Sequence, residues 1–75
     1  MNRILNAPYY VHFIAHNSGT HEFAPCENLT AAIEFAHEER ACGATYVDTM
    51  TRADFLVVEN IIGQSDNVFY HPEIY

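Results

Sequence analysis

Thr51-Arg52-Ala53-Asp54-Phe55-Leu56-Val57-Val58-Glu59-Asn60-Ile61-Ile62 is the stretch on whose reading the fold turns. From Phe55 onward it is apolar on every face, and a short apolar run of this kind fits a buried strand or a buried helix segment equally well by periodicity. The residues before it read either as a turn or as a helix start capped by Thr51. Four β-branched residues in eight, Val57, Val58, Ile61 and Ile62, favour a strand over 55–62. A helix there would break the antiparallel half of the sheet.

Upstream of this stretch the signals are plainer. Pro8 to His16 is rich in aromatic and β-branched residues and reads as a strand, with Tyr9, Val11, Phe13 and Ala15 on one face. Asn17-Ser18-Gly19 is turn chemistry, Thr20 to Ala24 returns as a second strand, and Pro25 is expected to end it because proline cannot donate to a ladder. Asn28 is placed to cap a helix from Leu29 to about Cys42, closed by Gly43. Its expected inner stripe is Leu29, Ala32, Ile33 and Ala36 with Phe35 on the flank. Ala44 to Met50 reads as a third strand. Downstream, residues 63–67 are a turn and Val68-Phe69-Tyr70 a last short strand.

The expected fold is therefore a single α+β domain over residues 1–75, in the order β-β-α-β-β-β: an antiparallel sheet of about five strands with one helix packed on one face. The other sheet face is left to water or to a partner. A chain of this length buries only about 60% of the surface its unfolded form exposes, so it has little room for an enclosed substrate pocket.

Ten acidic residues against three arginines, Arg3, Arg40 and Arg52, give a formal charge of −7. No basic patch can be built from them, which disfavours direct binding to nucleic acid and to anionic membranes and favours a basic protein partner. No apolar run approaches the roughly 20 residues of a membrane span, and no signal peptide is evident, so the cytoplasm is the expected location.

Candidate chemistry is thin. On a strand, His12 and His16 would lie about 13 Å apart on one side, too far for one zinc ion. Cys26 and Cys42 bracket the helix that holds His37, yet nothing is placed to orient a base beside either thiol. Glu38 and Glu39 diverge on the helix, so no acid/base pair can be nominated, and the glycine-rich phosphate loop and the nucleophile elbow are both missing. The expectation is a protein that is not an enzyme and needs no cofactor and no metal. Tyrosines, by contrast, are in surplus, and Tyr is enriched at the centres of interfaces. Tyr10, Glu34, Glu38, Tyr46 and Asp48 are the expected partner-binding residues.

The hairpin through Asn17-Ser18-Gly19, the capped helix beginning Asn28-Leu29-Thr30-Ala31-Ala32, and the strands from Ala44 onward make an arrangement that resembles the small anti-CRISPR proteins of bacteriophages in size, acidity and organisation. The resemblance implies a phage-encoded inhibitor that works in the cytoplasm of the host cell. It would bind a CRISPR effector complex, presenting carboxylates where phosphates would sit in its Lys- and Arg-lined channels, and so block target recognition or cleavage. The competing expectation is a small dimeric bacterial binding module or accessory subunit.

Overall fold

The hairpin forms where turn chemistry interrupts a β-rich run. The computed structural model describes residues 7–62 and 68–71, and the turn expected at 63–67 lies outside them. Strands β1 (Tyr9–Ile14) and β2 (His21–Cys26) pair antiparallel with Tyr9 opposite Cys26 and Ile14 opposite His21. Gly19, at φ +70, supplies the left-handed residue of the connection, and Ala15 and Gly19 close it through main-chain hydrogen bonds. Pro25 does not end β2. It is tolerated because the outer neighbour of β2 reaches only His21–Phe23, leaving no ladder partner at Pro25 on that side.

Helix α1 (Leu29–Ala41) begins where the Asn28 side chain accepts the Ala31 amide at 2.8 Å. It ends in a Schellman arrangement: Gly43, at φ +99, donates to the Arg40 carbonyl and Ala44 to that of Glu39. Ala32 and Ala36 are the buried contacts, with Phe35 and Ala31 partly buried beside them. Leu29 and Ile33, expected on the inner stripe, are about half exposed instead. Small alanines let the helix axis approach the sheet, which turns the inward direction toward Phe35 and away from Ile33.

The decisive stretch is a helix. Strand β3 (Tyr46–Thr51) runs straight into α2 (Arg52–Ile62), and the Thr51 hydroxyl accepts the Asp54 amide at 3.3 Å, the capping that the sequence offered as the alternative. The β-branched residues are overridden by a helical placement that buries Phe55, half-buries Val58 and Ile62, and exposes Val57 and Ile61. β4 (Val68–Tyr70) completes the described elements, four strands and two helices in place of five strands and one.

The sheet order is β3-β1-β2-β4, and the sheet is mixed: β1 is antiparallel to both neighbours, while β2 and β4 are parallel. Strands β2, β3 and β4 thus share one direction, so β2-α1-β3 and β3-α2-β4 are both crossovers between parallel strands. They travel across the sheet in opposite directions. Crossovers of one hand that run in opposite directions must take opposite faces. Accordingly α1 packs on the face of Val11, Phe13, Ala24 and Cys26, and α2 on the face of Tyr10, Phe23 and Met50. The expected two-layer build with an open sheet face is replaced by three layers.

Candidate functional site

The five residues expected to bind a partner do not form one surface. Glu34 and Glu38 are exposed on the outer side of α1. Asp48 and Tyr46, also exposed, share the opposite sheet face with His12 and Ile14, as the β1–β3 register requires. Partial burial first, then the Asp48 carboxylate that accepts its hydrogen bond, push the Tyr46 phenol upward. Tyr10 is removed from any surface: it is 1% exposed, stacked on Phe55 at 3.8 Å between ring centroids, and its hydroxyl accepts the Ala7 amide. The reason is α2, which covers the face that a strand at 55–62 would have left open.

Next to Asp48 lies a pair of imidazoles. His12 is 4% exposed, stacked on Phe23, and its Nε2 is 3.0 Å from His21 Nδ1. Burial first, then the nearby His21, lower the His12 pKa, with Asp48 opposing. A pKa held below its unfolded value of 6.5 means that the folded state binds fewer protons, so this group weakens folding as pH falls through and below that value. Among the described residues no three His, Cys, Asp or Glu side chains converge as a metal site.

A concave site lies elsewhere, at the C-terminal end of α1. There the sheet, the hairpin turn and the residues after the helix enclose a cleft of about 350 Å3. Phe13 and Glu22, opposite each other in the β1–β2 register, belong to its lining with His16, Glu39, Cys42 and His71. His71 is brought in by β4, its amide donating to the Phe23 carbonyl at 2.9 Å, and its Nε2 meets Glu22 Oε1 at 2.7 Å. Against a carboxylate that nitrogen is the donor. Burial, then the neighbouring Glu22, push the Glu39 carboxyl above its ordinary range, with His71 opposing and Glu38 adding to the rise. Protonation of Glu39 is therefore favoured by folding, and this group strengthens folding as pH drops toward its unfolded value of 4.5. Cys42, an exposed free thiol, belongs to the same lining.

Sequence reasoning did not single out Glu22, Glu39 or His71 as a group. Glu22 and His71 are 49 residues apart and meet through a parallel pairing of three residues, for which no local pattern exists. No known protein family, curated protein or solved structure matches this chain.

Proposed function

We propose that this domain acts by binding a basic protein, and that it does so as an inhibitor of a CRISPR effector complex, occupying a cationic surface that nucleic acid would otherwise use. The observation that carries the reading is the cleft: Glu22 and Glu39 come to it from separate elements, and its lining residues include no lysine or arginine. Around it, Glu34 and Glu38 extend the negative charge along the outer side of α1. With a net charge of −7, the long-range field attracts a cationic partner and repels nucleic acid and anionic lipid. No helix among the described residues is long and apolar enough to cross a membrane.

The test adds the purified protein to purified effector complexes and follows target-DNA binding and cleavage as salt is raised. Inhibition that fades between about 50 and 500 mM salt, as the Debye length falls from about 14 to 4 Å, is the expected outcome. Inhibition indifferent to salt would reject the electrostatic reading; no effect on any effector type would reject the inhibitor. A second reading, a dimeric accessory module, has its own support in α2, where Val57 and Ile61 are 62% and 72% exposed and Leu56 is also exposed. Exposed apolar side chains, with Asp54 as the charged neighbour on that face, are a surface by which two copies could meet, and sedimentation would show it.

A further inference from the structure

We propose that the cleft at the C-terminal end of α1 is a receptor for one guanidinium group, the head of an arginine side chain that the partner presents. This rests on the reading that the partner is basic, and it names the group that anchors it.

The cleft volume of about 350 Å3 is at the low end of the roughly 300–1,000 Å3 of ligand pockets and is ample for one long side chain. Its two carboxylates approach from different elements, Glu22 from β2 and Glu39 from the last turn of α1. Glu22 meets His71 through Oε1, which leaves Oε2 able to accept a second donor. The hairpin turn adds the polar side chains of Asn17 and Ser18. The negative end of the α1 dipole falls at the same place, since Cys42 and Ala44 belong to the lining, with exposed Arg40 in the last turn offsetting part of it.

These features select among ligand classes. An anion would meet two carboxylates and a helix C-terminus. A metal ion would need a third convergent ligand, which is missing among the described residues. An ammonium is a compact, strongly hydrated charge, whereas guanidinium presents a planar fork that suits carboxylates and lies flat against rings. Phe13 and His71, 5.7 Å apart between centroids, supply such rings. Burial first, and then the neighbouring Glu22, raise the Glu39 pKa, as expected where two carboxylates face one partly buried cleft.

The test titrates the full chain with N-acetylarginine methylamide at constant ionic strength, following side-chain resonances of His71 and Glu39 by NMR. The expected result is saturable binding with a Kd of about 1–10 mM, as suits one side chain. It should be accompanied by a fall in the Glu39 pKa on saturation, a shift that a purely structural role of Glu39 would not produce. Glu39→Gln should weaken binding about tenfold, and Glu27→Gln, exposed just before the start of α1 and so at the far end of that helix, should leave it unchanged. N-acetyllysine methylamide should bind about fivefold more weakly. Equal affinity for both probes would overturn the guanidinium assignment. Absence of saturation, or undiminished binding by a folded Glu39→Gln variant, would overturn the cleft as receptor. The broader reading fails differently: effector inhibition that is lost or salt-indifferent leaves this titration intact, while salt-dependent inhibition that survives Glu39→Gln removes the receptor and spares the basic partner.

Discussion

Replacing Phe55 and Val57 separately distinguishes a helix at 55–62 from a strand, because the two residues lie on the same face of a strand and on nearly opposite faces of a helix. Phe55 is fully buried, stacked on Tyr10 at 3.8 Å and 8°, and edge-on to Phe23 at 5.2 Å. Phe55→Ala should cost about 3–5 kcal/mol, a large part of the roughly 4–11 kcal/mol available to a chain of this size, so the gentler Phe55→Leu is the better probe. It keeps most of the apolar volume and removes two ring pairs, each worth about 0.5–1.5 kcal/mol, for a loss of about 1–3 kcal/mol. Val57 is 62% exposed, and Val57→Ala should stay within about 0.5 kcal/mol. Urea unfolding followed by circular dichroism, with a slope of about 1 kcal/mol/M for so small a domain, would place the Phe55→Leu midpoint about 1–3 M lower and leave that of Val57→Ala in place. Comparable losses from both substitutions would refute the helix, and with it the second crossover and the three-layer build.

Ile33, about half exposed on α1, should tolerate Ile33→Ala at a loss of about 1 kcal/mol or less in the same assay; a loss above about 2 kcal/mol would put it in the core. Tyr46→Ala should leave the fold stable and, if Tyr46 anchors the partner, raise the rate of dissociation by about 1–3 kcal/mol in affinity. Tyr10→Ala should instead unfold much of the population, and a stable Tyr10→Ala variant with impaired binding would contradict the buried placement. Stability should decline as pH falls from about 7.5 to 5.5, because buried His12 resists protonation, and His21→Gln should flatten only part of that slope, since burial is the larger cause. A urea midpoint that rises across this interval would contradict it.

The hairpin, the first helix with both its caps, the third strand and the last short strand were legible, because each rests on local chemistry: Asn17 to Gly19 at the turn, Asn28 and Gly43 at the helix ends. Phe55 to Ile62 was not. A run that is apolar all round has no period to read, and the Thr51 cap is one weak hydrogen bond against four β-branched residues. One element changed the whole sheet face, since a strand there would have joined the sheet where the helix instead covers it. Tyr10 passed from surface to core for that reason alone, while Tyr46 and Asp48, farther from Phe55, kept their exposure. The inner side of α1 was misjudged by a smaller angle: the hydrophobic stripe was read by residue size, whereas the helix packs through its alanines.

β4 explains how so small a domain holds a site together. It contributes only Val68–Tyr70, and its pleat sends neighbouring residues to opposite faces. Tyr70 turns toward α2 and donates its hydroxyl to Glu59 at 2.8 Å, while His71, immediately after the strand, turns toward the cleft and holds Glu22 at 2.7 Å. Two consecutive side chains thus tie the outer helix layer and the cleft to one short parallel strand. Such a strand has few ladder bonds of its own, so each of its side-chain ties bears a large share of its attachment. Tyr70→Phe should therefore cost about 1 kcal/mol of that attachment, while Phe55 continues to hold α2 on the sheet and the Phe23–Tyr70 ring stack keeps β4 in place.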